Sequence, residues 1–185
     1  MDINTERQKI MNDLFMQCVN RVIDVNEKGY SNRKDDLGGE TMYGITKSTA
    51  KAHGYAGDMR KLTQKQAIAI YKKGFWDKSK LDDLKSHKIA FLVFDANVNH
   101  GVNSSAKMLQ RAINRTYNQS EVVVDGIVGQ KTIAAVNVAD ENVLILNLTA
   151  ERLRFFTSIK KTWEANGKGW INRVSNNLNF ISTLD

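Results

Sequence analysis

The stretch EKGYSNRKDDLGGETMYGIT, Glu27 to Thr46, decides how the rest of this chain is read. Upstream, Ile10, Met11, Leu14, Phe15, Cys18, Val19, Val22 and Ile23 fall at helical spacing with polar residues between them. Gly29 is a natural stop for that helix, which puts Glu27 in its last turn. The helix dipole disfavours an anion there, so a carboxyl at that end is expected to keep its proton more firmly than usual. A turn-rich loop with Asp35 and Asp36 follows. Gly38 and Gly39 let that loop fold back, because glycine permits positive φ. The segment around Glu40–Ile45 then reads as a short extended piece. On these residues alone, Glu27 is either a solvated surface glutamate or a proton donor facing a second acid.

The remaining chain is helical in pattern. With no proline anywhere, helices must end by glycine and by capping side chains. Thr46 to Gly54 reads as a short helix with a Thr cap, and Thr63 to Gln66 as a capping box opening another. Ser86 to Gly101 is apolar on most sides, which predicts a central helix, and Ser104 to Tyr117 continues the periodicity. Val122–Val124 followed by Asp125-Gly126 predicts an isolated extended segment and a tight turn. Helices are expected again over 130–138, 141–163 and 169–180. The expected fold is mainly α with a minor hairpin near Glu40–Ile45. Cys18 falls on the apolar face of the first helix and is expected as a small core residue. His53, His87 and His100 are scattered without ligand spacing, so neither a metal nor another cofactor is expected.

Cleavage of a glycosidic bond needs a protonated carboxyl near a second polar or acidic group across a cleft. Glu27 and the loop with Asp35 and Asp36 answer to that description. The stretch also resembles the signature of glycoside hydrolase family 108, whose members are N-acetylmuramidases of bacteria and phages. They carry Glu-Gly-Gly-Tyr-Ser-Asn, then Asp-Pro-x-Asp-Pro-Gly-Gly, then Thr-x-x-Gly-Ile-Thr. Here Glu27, Gly29, Tyr30, Ser31, Asn32, Asp36, Gly38, Gly39, Thr41, Gly44, Ile45 and Thr46 match in order and spacing. Lys28, Arg33, Lys34 and Leu37 depart from it, and loss of the two prolines predicts a less stiff loop.

The resemblance implies a lysozyme-like helical fold, with the small hairpin beside the active-site loop. It also implies Glu27 as the catalytic acid. Asp36 and Thr41 would assist water or the developing cation, in the Glu–Asp–Thr order of phage-type lysozymes. Tyr30, Tyr43 and Thr46 are candidate sugar contacts, each with a packing or capping alternative. Trp76 is expected in the core or the cleft wall.

From about residue 97 the chain resembles the predicted peptidoglycan-binding partner of that family. The matching pieces are Asn97-x-Asn99-x-Gly101, Ala106-Lys107-x-Leu109-Gln110, Val124-Asp125-Gly126-x-x-Gly129, Thr132, Glu151-Arg152 and Gly169-Trp170-x-Asn172-Arg173. The resemblance implies a catalytic lobe over 1–103 and a closely packed helical lobe over 104–185. Asn97 and Trp170 join the candidate substrate contacts. Asp95, Asn97 and Asn99 need polar partners if buried, either tying lobes together or lining the cleft.

The charge balance, 27 Lys+Arg against 20 Asp+Glu, gives +7 and favours polyanionic partners. The cationic residues are dispersed, with no base-reading cluster, so specific nucleic-acid binding is not expected. No apolar run reaches the roughly 18 residues needed to span a bilayer. The first residues, MDINTERQK, lack the apolar region of a secretory signal. The expectation is therefore a monomer made in the bacterial cytoplasm without a cleaved leader. It would act on peptidoglycan in the periplasm after release through a holin or another dedicated route. Three alternatives stand beside the muramidase: a lytic transglycosylase using the same glutamate, a non-catalytic wall-binding protein, and a basic nucleic-acid-binding protein.

Overall fold

A computed structural model describes residues 3–26, 29–32 and 39–184, with the backbone only at residues 3, 4 and 26. The chain packs into two compact units, Met1–Lys78 and Ser79–Asp185. Among the described residues there are eight α-helices and three short strands. The class is mainly α, as the periodicity predicts.

In the first unit, α1 (Ile3–Arg21) buries Met11, Leu14, Phe15, Cys18 and Val19. Ile10, expected on that face, is exposed instead. The helix passes into a π-helical turn over Val22–Asn26, immediately before Glu27. Such turns recur at functional sites, and apolar periodicity gives no sign of them. Gly29 has φ +70, as its role as a stop requires. Cys18 has no exposed surface, and burial pushes its thiol pKa far up, so it is an inert core residue.

The expected hairpin is a three-stranded antiparallel sheet: β1 (Tyr30–Ser31), β2 (Thr41–Met42) and β3 (Ile45–Thr46). It leads directly into α2 (Lys47–Ala52), whose N-cap Thr46 accepts a hydrogen bond from the Thr49 amide. The capping box at Thr63 and Gln66 opens α3 (Gln64–Tyr71). A second π-helical turn, Lys72–Trp76, follows. It drives Trp76 into the core, edge-on to Phe15 at 5.3 Å.

In the second unit, α4 (His87–His100) is capped by Ser86 and buried continuously from Ile89 to Asn97. Around it pack α5 (Val102–Thr116), α7 (Glu141–Ser158) and α8 (Trp163–Ile181), while α6 (Gln130–Val138) packs on α5. Two expectations are corrected. Val122–Val124 forms no strand: Asn114 holds both the amide and the carbonyl of Val122, so the segment is a pinned loop with Val123 exposed. The long helix expected over 141–163 ends at Ser158, and the last helix begins at Trp163. No proline or glycine marks that break, which is why periodicity runs through it.

Candidate active site

Glu27, Asp35 and Asp36 lie outside the described residues. What is described is the frame that flanks them. The β2–β3 connection is a two-residue turn, Tyr43-Gly44, with φ 52 and 74. Positive φ at both positions is the mark of the tight turn whose twist suits a hairpin. Two hydrogen bonds lock it. The Tyr43 amide donates to the Gly29 carbonyl at 3.0 Å, and the buried Tyr71 hydroxyl donates to the Tyr43 carbonyl at 2.7 Å. Gly29, two residues beyond Glu27, is thereby tied to the sheet.

The register pairs Tyr30 with Met42 and Ser31 with Thr41, then Thr41 with Thr46 and Met42 with Ile45. Paired residues share a face. Ser31, Thr41 and Thr46 therefore lie on one face, and Tyr30, Met42 and Ile45 on the other. Among the described residues, the Thr41 hydroxyl reaches only the Ser31 carbonyl, at 3.5 Å, a marginal contact. Thr46 is committed to capping: its hydroxyl accepts from the Thr49 amide and bonds to the Thr49 and Ser48 hydroxyls.

On the Tyr30 face sits a polar cluster. The Tyr30 hydroxyl donates to Glu40 Oε1 at 2.9 Å, and Lys47 Nζ pairs with Glu40 Oε2 at 2.7 Å. Arg60 lays its guanidinium 4.7 Å from the centroid of the Tyr30 ring. Hydrogen bonds from Lys47 and Tyr30 hold the Glu40 carboxyl below its usual range, while the bond to Glu40 raises the Tyr30 phenol. Glu40 is thus a fixed anion throughout the neutral range. Sequence reasoning missed both Glu40 and Arg60. Glu40 was legible only as the neighbour of Thr41, and Arg60 lies thirty positions from the ring it covers.

The two candidates from the second unit part company. Asn97 has no exposed surface and donates its amide to the Ser79 hydroxyl at 2.9 Å. Its side chain thus lies in the packed interior of the second unit. Trp170 is half-buried, stacked on Phe156 at 5.1 Å and 9° and tilted against Trp163.

Asp95 lies at the centre of this unit, held by Arg152, Arg173 and Asn177. Burial alone would raise its carboxyl pKa, but Arg173 and Arg152 outweigh burial and hold it well below the carboxylate range. Glu151 likewise gathers Arg111, Arg115 and Arg154. Gln110 clamps the turn at 125–127 by donating to Asp125 and the Ile127 carbonyl and accepting from the Gly126 amide. The polar residues shared with the family in this half mostly hold the scaffold together. No helix among the described residues is long and apolar enough to cross a membrane.

Comparison with known proteins follows the same lines. The family model described as Glycosyl hydrolase 108 matches residues 20–101, and that of a Predicted Peptidoglycan domain matches residues 104–175. Among solved structures, SagA of Brucella abortus is 28% identical, with a TM-score of 0.73 over 96% of this chain and 94% of that one. No curated protein matches the chain in sequence. With a glycosyl hydrolase 108 domain over 20–101, a predicted peptidoglycan domain over 104–175 in that order, and a structural likeness to SagA along nearly the whole chain, this protein is a peptidoglycan hydrolase built on a glycosyl hydrolase 108 domain.

Proposed function

We propose that this hydrolase is an N-acetylmuramidase, cleaving the β-1,4 bond between N-acetylmuramic acid and N-acetylglucosamine. Glu27 protonates the leaving oxygen. Asp36 and the Thr41 hydroxyl assist the attacking water or the developing oxocarbenium charge. Tyr43 and Tyr30 flank the glycan, and Trp170 offers a further contact on the second unit. The module boundary proposed is that of the sequence, 1–103 and 104–185, which agrees with the family models. The compact units divide earlier, at Lys78/Ser79, and residue 103 falls inside α5.

One observation carries the reading. The Gly29–Tyr43 hydrogen bond and the Ser31–Thr41 pairing tie the chain just beyond Glu27 to the strand that bears Thr41. Gly29, which follows the proposed proton donor in sequence, and the proposed water-holding hydroxyl of Thr41 thus belong to one small frame. Mass spectrometry of digested peptidoglycan, with and without borohydride reduction, tests it. Reducible products ending in N-acetylmuramic acid are expected. Anhydro ends would instead make the enzyme a lytic transglycosylase, and N-acetylglucosamine ends a glucosaminidase. An endolysin role in bacteriolysis is part of the same proposal, and a wall-remodelling role is its alternative.

A further inference from the structure

The cluster on the Tyr30 face contains a cation that the reaction does not use. Arg60 sits in a single helical turn, Met59–Lys61, that the fold holds firmly in place. Met59 is buried, Asp58 caps the turn by accepting from the Arg60 amide, and the Tyr55 hydroxyl donates to the Asp58 carbonyl. The turn packs against β2. Arg60 therefore reaches Tyr30 from a rigid base, and its stacking on the ring gives up rotamer freedom before any ligand arrives.

Its neighbours are already matched. Lys47 is paired with Glu40, and Glu40 also accepts from Tyr30. Among the described residues, no carboxylate lies within ion-pairing distance of the Arg60 guanidinium. Counting Lys47, Arg60 and Lys61 against Glu40 and Asp58, the cluster keeps one excess positive charge. An exposed, pre-oriented guanidinium with no ion-pair partner among the described residues suits the fork geometry of a carboxylate. Because Tyr30 and Thr41 lie on opposite faces of the sheet, this cation is not aimed at the bond being cut.

We propose that Arg60 is a specificity-determining residue that binds a carboxylate carried by the wall glycan, either the lactyl acid of the muramic sugar or a carboxyl of its stem peptide. Tyr30 supplies the stacking surface that orients the guanidinium. Glu40 fixes Tyr30 through its hydroxyl, and Lys47 neutralises Glu40 so that Arg60 stays available to the ligand. The inference rests on the muramidase reading above.

The test measures binding in a Glu27→Gln background, so that no glycan is consumed. Three tetrasaccharides are compared by calorimetry: one bearing stem peptides, one stripped to its lactyl acids, and a neutral N-acetylglucosamine tetramer. Arg60→Ala is expected to weaken at least one carboxylate-bearing glycan about tenfold while moving the neutral tetramer less than twofold. Arg60→Lys is expected to recover only part of the loss, because it keeps the charge without the planar fork. A loss confined to the stem-bearing glycan identifies a peptide carboxyl, a loss confined to the stripped glycan identifies the lactyl acid (an amide while the stem is attached), and a loss on both means that the guanidinium takes either carboxylate. Equal weakening of all three, or of none, overturns the assignment of Arg60. If the parent protein binds none of the glycans, the muramidase reading itself falls. Arg60 is exposed, and an unchanged thermal melt checks that the variants stay folded.

Discussion

Tyr43 carries φ 52, in a region that β-branched and bulky residues occupy at a cost. Two hydrogen bonds to its backbone, from Tyr71 and to Gly29, hold it there. An aromatic kept at such a position, next to a glycine that would serve either slot, is strain retained for its side chain. Tyr43→Asn is therefore expected to raise stability by about 0.5–1 kcal/mol, since asparagine tolerates the left-handed region. The same substitution should lower turnover of peptidoglycan. Chemical denaturation beside an activity assay checks both. A stabilised variant with full activity would reduce Tyr43 to a turn residue.

The elements were legible wherever a local device marks them. The Thr63/Gln66 capping box, the Ser86 cap and the Thr46 cap all stand where their side chains predict. Thr63→Ala is expected to cost about 1 kcal/mol, because it removes the hydroxyl that accepts from the Gln66 amide and donates to the Gln66 side chain. A loss under a few tenths of that, read from urea unfolding, would count against the box as an anchor of α3. What escaped the sequence has no local signature. The π-helical turns at Val22–Asn26 and Lys72–Trp76 insert a residue into an otherwise helical pattern. The break between Ser158 and Trp163 contains neither glycine nor proline. Val122–Val124 has strand-forming side chains, but Asn114 takes the backbone groups that a strand would pair. The site divides likewise: Thr41 and the tyrosines follow from a contiguous motif, whereas Arg60 meets Tyr30 only through the packing of a distant turn.

At the scale of the whole molecule, stability depends on keeping charge inside the second unit matched. Asp95 is an ion among arginines, and His100 packs tilted against Phe155 and edge-on to Phe156 with its Nε2 buried and unpartnered among the described residues. Burial, then the nearby Arg152, pushes the His100 pKa down to about 3. A histidine with a folded pKa below its unfolded value near 6.5 binds protons more readily when unfolded. Its contribution is full above pH ~6.5 and is lost as the pH falls from there towards 3. Asp95 has the same sign in a lower window, with stability lost below about pH 4. Unfolding free energy should therefore decline from pH 6.5 downwards, by at most about 1.4 kcal/mol per pH unit for the histidine. His100→Phe should flatten the slope between pH 6.5 and 4. An unchanged slope would mean that His100 titrates normally.

The proposed mechanism turns on one chemical event, proton donation by Glu27. Reducing-end release from purified peptidoglycan by the Glu27→Gln chain is the most direct measure of it. Turnover is predicted to fall by about 10²–10⁴-fold, with the thermal melt nearly unchanged. Release close to that of the parent chain would place the acid elsewhere and contradict the account.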